Sequence, residues 1–96
     1  MRTTEEIREQ LKTLKIKLQN KYPIASLAIF GSYSRNEQTN NSDIDLLVEF
    51  NGKIGSNFIT LADEIEQELG NHVDLVSKNG IKEKYFNRIK SDLIYV

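Results

Sequence analysis

Apolar residues recur along the first twenty positions at the spacing of one face of an α-helix. They are Ile7, Leu11, Leu14 and Leu18. Their steps of four, three and four residues predict an amphipathic helix over residues 4–20. Thr3 and Glu6 match a capping box at its start, and Pro23 closes the segment.

Two apolar runs of strand length flank the polar stretch 31–43. The first run, 24–30, is apolar at both odd and even positions, which predicts a strand covered on both faces. The second predicted strand spans 43–50. Because strand side chains alternate, positions 44, 46 and 48 would face one layer and positions 43, 45, 47 and 49 the other.

The rest of the chain predicts further helices and strands in alternation. The predicted elements are a helix over 57–69, a strand over 72–77, a short helix over 81–90 and an edge strand over 93–96. Ser56 or Asn57 would cap the first of these helices, and Gly70 lies where a helix C-cap glycine belongs.

Two polar segments predict turns. Residues 32–37 favour one helical turn, and Asn51-Gly52 is typical of a hairpin turn. Taken together, the pattern predicts an α/β (α+β) fold in a single domain spanning residues 1–96. Its core would be a small mixed sheet of three to four strands with helices packed on at least one face.

Composition narrows the functional class. The 96 residues carry 13 Lys and Arg against 14 Asp and Glu, a net charge of -1, which argues against a general nucleic-acid binder. With no Cys, the chain has no thiolate nucleophile and no Cys-type zinc site. We find neither a secretory signal nor an apolar run of membrane-spanning length, so we expect a cytoplasmic protein.

Acidic residues inside apolar strands are the candidate chemistry. Asp43 and Asp45 would share one strand face, and Asp74 lies within the apolar segment 73–76. If those strands are neighbours, about 4.8 Å apart, the three carboxylates would converge on a pair of magnesium ions roughly 3.5–4 Å apart. Taken singly, each residue also fits a purely structural role, such as a turn cap or an exposed charge on an edge strand.

Gly31 and Ser32 follow the first strand directly, where free N–H groups and a hydroxyl would bind phosphate. A helix start with Ser32 as cap is the compatible structural alternative. Arg35 fits a phosphate contact or, equally, a surface salt bridge with Glu37. Tyr33 is open between stacking on a base and being a plain surface aromatic.

These motifs carry a resemblance to a known family. Gly31-Ser32, ten intervening residues, Asp43-Ile44-Asp45 and a later Val73-Asp74-Leu75-Val76 resemble the signature of the nucleotidyltransferase fold shared with DNA polymerase beta. More narrowly, residues 31–35 and 42–50 resemble the minimal nucleotidyltransferases (MNT type). Members of that family are often encoded beside a HEPN-domain protein as the antitoxin of a toxin–antitoxin pair. One departure is Asn36, where the family commonly has Gly; Asn tolerates the left-handed conformation better than most residues.

The resemblance implies a role for each motif residue. Gly31, Ser32 and Arg35 would contact the triphosphate of ATP. Asp43, Asp45 and Asp74 would hold two Mg²⁺ ions as the catalytic and metal-binding set, with Asp74 helping to deprotonate the acceptor hydroxyl.

For the MNT type the resemblance implies transfer of AMP to a tyrosine hydroxyl of a HEPN toxin, in a possible hetero-oligomer. We expect the partner to supply the acceptor, because this chain has no room for an acceptor-binding domain. Two alternatives stay open: a catalytically weak antitoxin that neutralises its partner by occlusion, and nucleotidyl transfer to RNA or a small molecule.

Overall fold

Helices and strands alternate along the chain, which a computed structural model describes over all residues 1–96. In chain order they are α1 (Thr4–Gln19), β1 (Ile24–Phe30), β2 (Ile44–Phe50), α2 (Asn57–Leu69), β3 (Val73–Ser77), α3 (Glu83–Ile89), a 3₁₀ turn (Lys90–Asp92) and β4 (Ile94–Tyr95). The four strands form one sheet in the order β3-β2-β1-β4. β1 is antiparallel to β2 and β4, whereas β2 and β3 are parallel, so the predicted mixed sheet is confirmed.

Helix α1 begins with the predicted capping box. The Thr3 hydroxyl accepts a hydrogen bond from the N–H of Glu6 at 3.1 Å, and the Glu6 carboxylate accepts one from the N–H of Thr3 at 2.8 Å. The hydrogen bond from the Thr3 N–H lowers the pKa of Glu6, because it favours the charged form of the Glu6 carboxyl group. Two N–H groups that the helix leaves without partners are thereby satisfied.

One face of the sheet packs against α1 and α2. The buried side chains of this core include Ile7, Leu11 and Leu18 of α1, Ile44, Leu46 and Val48 of β2, and Leu61 and Ile65 of α2. All eight have essentially no exposed surface. The predicted division of β2 therefore holds, with its even positions in the core.

The opposite face of the sheet is covered near β1 by α3. Ala28, Phe30 and Leu47 are buried there, outside the main core. The Tyr85 ring packs edge-on against Phe30 with centroids 6.5 Å apart. This confirms that β1 is covered on both faces, although no residue of α3 is itself buried.

The segment after β1 forms consecutive turns over residues 31–36, which is close to the single helical turn predicted for residues 32–37. The N–H groups of Ser34, Arg35 and Asn36 each donate to the carbonyl three residues earlier. Asn36 then adopts a left-handed conformation with φ 56°, which interrupts the right-handed path. Asn36 thus takes the role expected of the family's glycine.

The predicted hairpin at Asn51-Gly52 is wrong. β2 pairs next with β3, and the two strands are parallel, so a crossover must connect them. Helix α2 supplies that crossover and ends at Gly70, which is left-handed with φ 66° as expected of a C-cap. None of the helices is long and apolar enough to span a membrane.

We expect Thr3→Ala to lower the free energy of unfolding by about 1 kcal/mol, because it removes one half of the capping box. For a domain of this size the melting temperature should fall by roughly 4–8 °C. Ser56→Ala is the matched control, since Ser56 caps α2 without a side-chain hydrogen bond. Equal destabilisation by the two changes, in thermal melts followed by circular dichroism, would contradict a capping role for Thr3.

Candidate active site

The pairing of β2 with β3 brings the three predicted carboxylates to one place. Asp45 and Asp74 are direct partners in the parallel register, and Asp43 lies one residue before β2 on the same side as Asp45. Asp43 and Asp74 are exposed and Asp45 is half-buried. The expected neighbourhood of their strands is therefore confirmed.

These carboxylates repel one another. The pKa of Asp45 is raised, first by burial and then by the negative charges of Asp74 and Asp43, while the positive charge of Arg35 opposes the shift. A carboxylate placed in this way gains stability from any cation that binds beside it. The arrangement therefore favours a cationic ligand.

Gly31 is required by its surroundings as well as by its backbone. Its φ is 75°, a conformation that side chains disfavour, and a Cβ at this position would collide with Oδ2 of Asp45 and lie 3.0 Å from its Cγ. The absence of a side chain at Gly31 is what allows the end of β1 to lie against the Asp45 carboxylate. This places the Gly31-Ser32 turn directly beside the acidic site.

The turn after Gly31 offers unused hydrogen-bond donors. The N–H groups of Ser34, Arg35, Asn36 and Glu37 donate to carbonyls within the turn, but those of Gly31, Ser32 and Tyr33 donate to none. The hydroxyl of Ser32 has no partner within the chain either. Free N–H groups beside a hydroxyl are suited to binding phosphate oxygens.

The aromatic and the cationic residue of the turn lie in different environments. Tyr33 is 4% exposed and belongs to the core, so it is neither a base-stacking residue nor a surface aromatic. The carbonyl of Tyr33 and the side chain of Asn36 both contact the hydroxyl of Thr4, which anchors the turn to α1. Arg35 forms the ion pair with Glu37 that was the alternative to a phosphate contact, and a second one with Asp92.

Sequence reasoning left His72 out of the site, yet His72 contacts it. Its Nδ1 lies 3.3 Å from Oδ1 of Asp43, and its Nε2 lies 3.7 Å from Oε2 of Glu66. The register of β2 with β3 explains the first contact, because His72 precedes β3 as Asp43 precedes β2. Its alternation onto the face of Asp74 was the only available signal in the sequence.

The donor set fits magnesium, because all three candidate ligands are carboxylates with hard oxygen atoms. Their side chains do not, however, form a closed metal-binding group of three in this conformation. Asp43 instead directs an oxygen to His72. The backbone therefore brings the three candidate ligands to adjoining positions of two paired strands, but their side chains do not surround a common point.

The acidic site is open rather than enclosed. The largest concavity of the molecule, about 470 Å³, lies between α1 and α2 and includes Leu14, Lys17 and Glu68. None of the four concavities contains a carboxylate of the site. The side chain of Asp43 is 55% exposed, so a large molecule has access to the site.

Comparison with known proteins agrees with this geometry. Residues 7–96 match the family described as nucleotidyltransferase domain. The chain belongs to this family. As a nucleotidyltransferase it is an enzyme, and the family match covers every candidate site residue named above.

Two of the relatives illustrate a similarity that extends over the whole chain. One, a candidate protein adenylyltransferase of Methanocaldococcus jannaschii, is 49% identical, with 100% of both chains covered. The other, the protein adenylyltransferase MntA of Thermococcus cleftensis, is 37% identical over 100% of this chain and 98% of its own.

Two solved structures are similar in fold. A candidate minimal nucleotidyltransferase superposes with a TM-score of 0.81 at 28% identity, covering 97% of this chain and 95% of its own. A toxin–antitoxin structure with AMP-PNP gives a TM-score of 0.74 at 25% identity, covering 90% of this chain and 70% of the other. This nucleotidyltransferase therefore has the fold of the minimal nucleotidyltransferases.

We expect Gly31→Ala to lower nucleotidyl transfer by about 100-fold, because the new Cβ must displace the Asp45 carboxylate. Gly55→Ala is the matched control. Gly55 has a similar φ of 54°, yet a Cβ there meets nothing within 4 Å. Both changes should destabilise the fold by about 1 kcal/mol through backbone strain, and only Gly31→Ala should affect transfer in an activity assay. Equal activity of the two variants would contradict the collision.

We expect Asp45→Asn to raise the melting temperature at neutral pH while abolishing activity. The raised pKa means that the folded state favours protonated Asp45, so its ionisation at neutral pH costs stability. Because solvent screens this half-buried group, we expect a gain of only about 0.5 kcal/mol, or roughly 2–4 °C.

The pH dependence of this gain has a defined sign. It should disappear below about pH 3.9, the ordinary pKa of Asp, where the carboxyl is protonated in both folded and unfolded states. Thermal melts of both proteins between pH 3 and pH 8 measure it, and a gain that grows toward low pH would contradict the proposed repulsion.

Proposed function

We propose that this nucleotidyltransferase is a magnesium-dependent protein adenylyltransferase that transfers AMP from ATP to a tyrosine hydroxyl of a partner HEPN toxin, and so acts as an antitoxin in the cytoplasm. The observation that carries the proposal is that strand pairing places Asp43, Asp45 and Asp74 at adjoining positions beside the Gly31-Ser32 turn. Relatives of the same length are named protein adenylyltransferases, which supports a protein as acceptor.

The residues of the chain divide the proposed reaction between them. The free N–H groups at Gly31 and Ser32, with the Ser32 hydroxyl, bind and orient the triphosphate. Asp43, Asp45 and Asp74 would hold Mg²⁺, which would lower the pKa of the acceptor hydroxyl and neutralise charge on the phosphates. The acceptor oxygen forms a bond to the α-phosphorus, the bond to the bridging oxygen breaks, and pyrophosphate leaves. Asp74 accepts the proton of the hydroxyl.

The openness of the site supports an acceptor supplied by another protein. The acidic side chains lie outside every concavity of the chain, and two of the three are exposed. A tyrosine on a partner's surface therefore has an unobstructed approach. A toxin–antitoxin structure with AMP-PNP, similar to this chain in fold at 25% identity, supports both the toxin partner and the nucleotide.

One observation favours the second candidate, neutralisation by occlusion alone. Asp43 contacts His72, and the three carboxylates do not form a closed metal-binding group. A protein that only covers its partner's active site has no need of such a group. The two functions differ in whether the partner carries AMP afterwards.

We expect the purified chain, incubated with ATP, Mg²⁺ and a HEPN partner protein, to increase the partner's mass by one or more AMP groups. Asp43→Asn and Asp45→Asn should each slow this transfer by at least about 100-fold, since each removes a metal ligand worth several kcal/mol. Intact-mass spectrometry and peptide mapping measure the product and locate the modified residue.

Glu49→Gln is the matched control for this experiment. Glu49 lies on the same face of β2 as Asp45, but it contacts Ser26 and Lys78 instead of the acidic site. It should retain full transfer. An inhibited yet unmodified partner would establish occlusion. Transfer of AMP to RNA or a small molecule in parallel reactions would contradict a protein as the acceptor.

A further inference from the structure

Arg35 is held by two carboxylates from different parts of the chain. Its Nε donates to Oε1 of Glu37 at 3.0 Å, and its Nη1 donates to Oδ2 of Asp92 at 3.3 Å. Glu37 is a near neighbour in sequence, whereas Asp92 comes from the 3₁₀ turn between α3 and β4. The Asp92 side chain is 31% exposed and that of Glu37 63%, so water competes less with the Asp92 contact although its hydrogen bond is the longer one.

The two contacts leave most of the guanidinium free. An arginine side chain has five N–H donors, and Glu37 and Asp92 take one each. The other three have no partner within the chain. Arg35 also belongs to the same turn as Ser32, because its backbone N–H donates to the Ser32 carbonyl at 3.2 Å.

We propose that Asp92 is a positioning residue for nucleotide binding: its hydrogen bond to Arg35 fixes the guanidinium at the edge of the Gly31–Asn36 turn, where it meets the triphosphate. This inference rests on the proposed function, because it assigns Arg35 to the phosphates of the nucleotide substrate. The gain comes from ordering a long side chain before the nucleotide arrives, since immobilising a free arginine opposes binding.

The direction in which a change at Asp92 shifts nucleotide affinity distinguishes a positioning role from a purely electrostatic one. Removing a negative charge near a triphosphate site should by itself strengthen the binding of that anion. Loss of an orienting contact should weaken it. Asp92→Asn therefore separates the two, because it removes the charge and weakens the hydrogen bond with little change in shape.

We expect Asp92→Asn to raise the dissociation constant for AMP-PNP with Mg²⁺ about three- to tenfold, measured by isothermal titration calorimetry. The KM for ATP in the transfer reaction should rise by a similar factor, and kcat should stay within about twofold. Asp63→Asn removes the same charge from an exposed residue of α2 that forms no ion pair, and it should change neither constant. Asp92→Glu, which restores the carboxylate, should recover part of the affinity.

A double-mutant cycle tests whether Asp92 acts through Arg35. In the Arg35→Ala background, Asp92→Asn should cause no further loss of AMP-PNP affinity. Melting temperatures within about 2 °C of the parent protein, as expected for an exposed ion pair, exclude unfolding as the cause.

Three outcomes would overturn the inference. They are unchanged or tighter AMP-PNP binding by Asp92→Asn, an equal loss in the Arg35→Ala background, and a loss confined to kcat. In each of these cases the proposed function stands if the parent protein still binds AMP-PNP and modifies its partner. If the parent protein binds no nucleotide at all, the proposed function fails together with this inference.

Discussion

The pairing register of β2 is the constraint on which the rest of the molecule depends. Ile44, Leu46 and Val48 of this strand are fully buried in the core with residues of α1 and α2. The packing of these side chains fixes the position of the strand in the sheet. A slip of one residue would turn those apolar side chains to the opposite face and bring Asp45 into the core. The same packing that folds the chain therefore sets the position of the acidic side chains.

This register carries an electrostatic cost. It places Asp45 directly opposite Asp74, and like charges in that position weaken strand pairing. The strand tolerates the pair because its other face contributes Ile44, Leu46 and Val48 to the core. Local destabilisation at a functional site, offset by packing elsewhere, is common in proteins.

Much of the fold follows from local sequence patterns. The stripe of α1 and its capping box, the two apolar runs and the C-cap at Gly70 are each determined by neighbouring residues, and all were predicted correctly. The failures depend on distant partners. Asn51-Gly52 has the composition of a hairpin, but the strand that pairs next with β2 reaches it only through α2.

The candidate site, too, has features that local sequence predicts and features that depend on distant residues. The spacing of Gly31, Asp43 and Asp45 is local, and Asp74 required only that β2 and β3 be neighbours. The contact between Arg35 and Asp92 joins residues 57 positions apart, and no sequence pattern predicts it. The burial of Tyr33 likewise depends on how α1 packs over the turn, which the sequence of the turn does not encode.

The lack of room for a side chain at Gly31 makes this position a marker in comparisons of related sequences. A chain that keeps Asp45 but carries any larger residue at position 31 must place its carboxylate or its turn differently. Such a chain has lost the arrangement even when its aspartates are intact. Position 31, which lies outside the acidic set, therefore reports whether this arrangement is kept, and counting aspartates alone does not.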